Sequence, residues 1–186
     1  MMKKIIITMG ILSVLFGFSG CNGQSKSENK ITHINNLDIL LSSDDTSGSI
    51  IELDDFIEDL CSYGDDMDKL TEPQKQFYYN QCLEREVNNG GFDQYFWNSS
   101  GDFALQTVQS LKAIGANTTA DILQMAIDQF PEKQVPQDRA KRIATMEQIE
   151  ATAEPIWEEL NQKFFEYQDD LNTLNLNFVR QNKNDF

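Results

Sequence analysis

Histidine is nearly absent from this sequence, with His33 alone, and only three cysteines occur in 186 residues. Little is left from which to build a zinc site. Basic residues are few. Lys and Arg number 15 against 30 Asp and Glu, a formal net charge of 15 − 30 = −15. A surface of that sign repels phosphates, so direct binding of DNA or RNA is not expected. Strand signals are scarce, and there is no internal repeat. No serine elbow, P-loop, His-Glu-x-x-His or Cys-x-x-Cys motif occurs. A general base would have to be a carboxylate raised in pKa by burial. Carboxylate pairs are so abundant that none is singled out. Asp65-Asp66-Met67-Asp68 lacks the spacing and closing Glu of an EF-hand. No catalytic residue, metal site or cofactor is expected.

What is present begins with an address. Lys3 and Lys4 precede an apolar stretch over residues 5–18, broken only by Thr8, Gly10, Ser13 and Gly17. The stretch is shorter than the ~20 residues a spanning helix needs and has the order of a signal peptide. Phe18-Ser19-Gly20-Cys21 resembles the bacterial lipobox, with Phe where Leu is usual. The resemblance implies cleavage before Cys21 and lipidation of its thiol. Cleavage removes two bases and no acid, so the mature charge becomes 13 − 30 = −17. The expected product is a lipoprotein of the bacterial cell envelope, anchored by acyl chains and otherwise repelled by anionic headgroups.

The hydrophobic share, 40%, excludes a wholly disordered chain, and the length suits one domain. Residues 21–49 read as lipidated Cys, tether and linker; within them residues 31–41 are ambiguous between helix and strand, and 42–49 read as loop. Residues 50–171 read as the domain and 172–186 as a tail. Ile50, Leu53, Phe56, Ile57 and Leu60 have the spacing of an amphipathic helix. Thr71, Pro73 and Gln74 form a helix start with a capping box. The helix they open carries Phe77, Tyr78, Cys82 and Val87 and stops at Asn88-Asn89-Gly90-Gly91. Further stripes are Leu105, Val108, Leu111 and Ile114, ended by Gly115, and Ile122, Leu123, Ala126 and Ile127, capped by Thr118 or Thr119. Ile143, Met146 and Ile149 mark a helix over 139–151, and Pro155 opens another with Ile156, Leu160 and Phe164. The fold class is all-α, about six helices around one core. Cys61 and Cys82 are read either as two packed thiols or, in an exported protein, as a disulfide. His33 reads as a surface residue.

Acids are concentrated between residues 44 and 72, eleven against the single base Lys69. Glu52, Asp55, Glu58 and Asp59 share a helix face. Such a row is either a solvated face that keeps the protein soluble or a surface for a basic protein.

The segment Glu84-Arg85-Glu86-Val87-Asn88-Asn89-Gly90-Gly91-Phe92-Asp93-Gln94-Tyr95-Phe96-Trp97-Asn98-Ser99-Ser100-Gly101 resembles the signature of the DMP19-like family. The resemblance covers roughly 50–171. It implies an all-helical domain and, for the founding type, an acidic surface that occupies the DNA-binding face of a protein partner. The residues admit two roles for the motif. Gly90 and Gly91 can reverse the chain, Phe92, Tyr95, Phe96 and Trp97 can fill the core, and Gln94 and Asn98 can bond freed backbone groups. Alternatively Asn89, Gln94, Tyr95, Trp97 and Asn98 line a pocket.

The expected function is a non-enzymatic, lipid-anchored acidic binding module. Glu52, Asp54, Asp55, Glu58, Asp59, Asp65, Asp66 and Asp68 would engage an unidentified basic protein. The rival is an envelope enzyme or ligand binder using the motif pocket, with Glu84, Glu86 or Asp93 as its buried carboxylate; a structural envelope protein is a third reading.

Overall fold

The computed structural model describes Ile34 and residues 36–186. The expected signal peptide, Cys21, and the expected tether and linker up to residue 33, His33 included, lie outside the described residues. Among the described residues no helix is long and apolar enough to cross a membrane. They form seven α-helices and no strand: α1 (Leu37–Ser42), α2 (Thr46–Leu60), α3 (Glu72–Trp97), α4 (Ala104–Ile114), α5 (Asn117–Ile127), α6 (Arg139–Phe165) and α7 (Leu171–Gln181). The all-α class is as the sequence implies.

The ambiguous stretch before residue 42 is helical from Leu37 onward. Leu37 and Leu40 on α1 are buried, and Ser49 Oγ donates to Leu40 O at 2.8 Å. α2 begins four residues ahead of its apolar stripe because Asp45 caps it, accepting from Gly48 N at 2.9 Å. The capping box of α3 is formed: Thr71 Oγ1 accepts from Gln74 N at 3.2 Å, and Gln74 Oε1 from Thr71 N at 3.0 Å. Gly115 ends α4 at φ +86°.

α5 is capped from a distance. Neither Thr118 nor Thr119 serves as its N-cap. Instead Thr119 N and Oγ1 donate to Asp169 Oδ2 at 2.7 and 3.0 Å, so a carboxylate from the loop before α7 takes up its first-turn N–H. The expected break at Pro155 does not occur. α6 runs through it for 27 residues. Ala153, Trp157 and Leu160, buried on both sides of the proline, keep the two halves in one continuous helix despite the lost hydrogen bond. The segment from residue 172, read as a tail, is largely α7, with Leu176 and Val179 buried and Asp170 capping through Thr173 N at 3.1 Å.

The core falls into two clusters joined by α3. Phe77, Tyr78 and Cys82 pack with α1, α2 and the buried face of α7; Leu83, Val87, Phe92, Tyr95 and Phe96 pack with α4, α5 and α6. Cys61 and Cys82 are buried free thiols, so of the two readings the disulfide is absent. Burial pushes Cys82 up to about 12, a value at which it behaves as a small apolar group.

Candidate functional site

The family-like motif folds as a kink in α3. Gly90 and Gly91 leave helical geometry, with Gly91 at φ +72°, ψ −171°. A Cβ built at Gly91 would lie 2.4 Å from Asn161 Nδ2, so glycine also permits the close approach of α6. Phe92 N–H, freed by the break, donates to Asn161 Oδ1 at 2.9 Å. Phe92, Tyr95 and Phe96 then enter the core against Phe164, Phe130 and Trp157.

The polar residues of the motif serve the same turn. Gln94 Nε2 and Asn98 Nδ2 donate to Glu86 Oε2 at 2.7 and 2.8 Å, and Ser100 Oγ to Glu86 Oε1 at 3.3 Å. Tyr95 OH bonds Thr107 Oγ1 at 3.0 Å. The five residues Asn89, Gln94, Tyr95, Trp97 and Asn98 do not line one pocket together: Tyr95 is core, Gln94 and Asn98 hold Glu86, Asn89 is exposed, and Trp97 borders a cavity that the other four do not line. Glu84 is pushed up by burial but bonds Tyr167 rather than facing Gln94.

That cavity is a cleft of about 420 Å³ between the kinked part of α3 and α6. Gly90, Asp93 and Trp97 form one wall. Met146, Trp157 and Asn161 on α6 supply its less charged lining, and Glu147, Glu150, Glu154 and Glu158 complete it. The four glutamates follow one another at spacings of three, four and four residues, one helix face over about 16 Å. No ion pair among the described residues involves them. Glu158 accepts from Gln162 Nε2 at 3.0 Å. Asp93 is pushed above the usual carboxylate range by burial and then by the charge of Glu150. The row was present in the sequence, but a helix broken at Pro155 separates its first half from Glu158.

The acids of α2 and its following loop are divided. Asp54 and Glu58 turn toward α3, where Arg85 Nη1 bonds Asp54 Oδ2 at 2.7 Å and Nη2 pairs with Glu58. Each carboxylate side chain is only 16% exposed, so neither is presented as expected. Both flank Leu53 and Ile57, and the buried edge of the helix carries them inward. Burial pushes Asp54 up to about 7 against the opposing pull of Arg85. Glu52, Asp55, Asp59, Asp65 and Asp68 are exposed, Glu52 accepting from Asn36 Nδ2. Asp66 pairs with Lys69 and accepts from Ser62 Oγ at 2.9 Å. Among the described residues no three His, Cys, Asp or Glu side chains converge so as to hold a metal ion.

Residues 68–182 match the family model described as DMP19-like protein. The match begins after α2, includes α3 to α7 with the kink and the cleft, and runs further toward the C-terminus than the resemblance read from the sequence. Comparisons with curated proteins and with solved structures returned no match.

Proposed function

The chain belongs to the DMP19-like family, and from that premise we propose that it is a lipid-anchored acidic module that binds a basic surface on a protein partner. The observation that supports this best is the uncompensated row Glu147, Glu150, Glu154 and Glu158 beside Asp93. A linear array of negative charge is what a nucleic-acid backbone presents to a basic protein. It attracts such a partner over long range and selects against acidic ones. Glu52, Asp55, Asp59, Asp65 and Asp68 add to the field from α2 and the loop after it.

The module works without catalysis and without contacting nucleic acid itself. Its anchor is the lipidated Cys21, so its partner is a basic protein met at the envelope. A nuclease-type protein whose phosphate-binding site the carboxylates occupy fits this chemistry. Two experiments test the reading. Reversal of Glu147, Glu150, Glu154 and Glu158 to Lys weakens binding of a basic nuclease by tenfold or more at low salt; unchanged affinity would overturn it. Cys21→Ser moves the protein from the membrane to the soluble fraction, and retention at the membrane would remove the anchor.

The cleft itself favours a second reading, a site for a small ligand. Stabilisation by a neutral metabolite in a thermal-shift screen, with no effect of basic proteins, would select it.

A further inference from the structure

We infer that the cleft between the kink of α3 and α6 is a receptor for an arginine side chain of the partner, held between the indole of Trp97 and the carboxylates of Asp93, Glu150 and Glu154. This rests on reading the chain as an acidic module that binds a basic protein, and it names the group recognised. Trp97 is the first feature of the cleft that suits a cation. Its motif companions Phe92, Tyr95 and Phe96 are fully buried, whereas Trp97 is 44% exposed and lies on the cleft wall. An exposed indole adds little to the core but attracts cations better than any other ring.

The shape of the cleft is the second such feature. Its volume of about 420 Å³ lies toward the lower end of the range of small-molecule pockets, which suits an inserted side chain. Met146 and Trp157 offer apolar contact for a methylene stem, and the indole N–H of Trp157 is already bonded to Ala126 O at 3.0 Å. The carboxylates are the third. They are spread along the cleft instead of converging on one point, and no Lys or Arg pairs with them among the described residues. A dispersed charge matches a broad, planar cation better than a compact one. Guanidinium stacks on rings, bonds carboxylates in pairs and is more weakly hydrated than ammonium, so arginine is favoured over lysine.

The test titrates the full-length chain with hexa-arginine and hexa-lysine peptides at low salt, following fluorescence from the two tryptophans, both of which border the cleft. Hexa-arginine should bind at least about fivefold more tightly than hexa-lysine. Trp97→Ala should weaken it about two- to fivefold, with part restored by Trp97→Phe. Glu150→Gln with Glu154→Gln should weaken it about tenfold. Calorimetry replaces fluorescence for the Trp97 variants, and an unchanged thermal midpoint shows that each has folded. Equal binding of the two peptides, or affinity unmoved by the Trp97 and Glu150/Glu154 variants, overturns the arginine receptor. If Asp55→Lys with Asp59→Lys alone abolishes binding, the acidic module stands and the cleft falls. If the wild-type chain binds neither peptide nor a basic protein, both fall.

Discussion

Arg142 is fully buried, and each nitrogen of its guanidinium has a partner. Nε donates to Phe96 O at 2.6 Å, Nη1 to Pro136 O and Gln137 O at 2.7 and 3.2 Å, and Nη2 to Asn98 O at 2.9 Å with Asp102 Oδ1 at 2.6 Å. It bonds carbonyls at and just beyond the end of α3 and ties them to the start of α6. Arg142→Met should cost about 3–5 kcal/mol in urea unfolding, and Arg142→Lys should not rescue it, because an ammonium cannot reproduce the fork. The two positive-φ glycines at helix ends or breaks should respond unequally. Gly115 has nothing within 4 Å of where a Cβ would stand, so Gly115→Ala should cost about 1 kcal/mol. Gly91→Ala meets Asn161 as well as a backbone region almost closed to alanine, and should cost at least about 2 kcal/mol. Asp54 provides a pH signature. Its folded-state value, about 7, exceeds the unfolded value near 3.9, so the folded protein binds the extra proton between them. Its contribution to stability is therefore full below about pH 4 and lost as pH rises through 7. The urea midpoint should be higher at pH 5 than at pH 8, and Asp54→Asn should flatten that difference.

At the scale of the helix, several local signals were legible, although the Asp45 cap of α2 and the Asp170 cap of α7 were not among them. The Thr71–Gln74 box, the Gly90-Gly91 break and the Gly115 stop all follow from residues within one turn. The rest of what was hidden depends on distant partners. Asp169 caps α5 from fifty residues away, and nothing near Thr119 announces it. Pro155 reads as a boundary because packing against α3 is invisible in a local window. The inward turn of Asp54 and Glu58 depends on Arg85, and the cleft depends on the approach of α6 to the kink. The pairing of α3 with α7 has a polar point of the same kind: buried Asn80 Nδ2 donates to buried Asn175 Oδ1 at 2.9 Å. Asn175→Ala strands the Asn80 amide and should cost about 1–3 kcal/mol, read from the denaturation midpoint.

For the molecule as a whole, charge acts on two processes with opposite sign. A chain at 15 − 30 = −15 repels itself, so added salt stabilises it by screening. The same screening would weaken the proposed attraction to a basic partner. Between about 0.05 and 0.5 M NaCl the thermal midpoint should rise while affinity for a basic protein falls. A parallel change in both would contradict the electrostatic account.

The family match starts at residue 68, yet α1 and α2 lie before it and shield the smaller of the two core clusters. Leu53, Ile57 and Leu60 belong to the same cluster as Phe77, Tyr78, Leu176 and Val179. A fragment trimmed to the matched boundaries would be an open-faced sandwich, its filling bared to solvent and prone to clump. The unit that expression or crystallisation must preserve is thus larger than the unit that homology outlines.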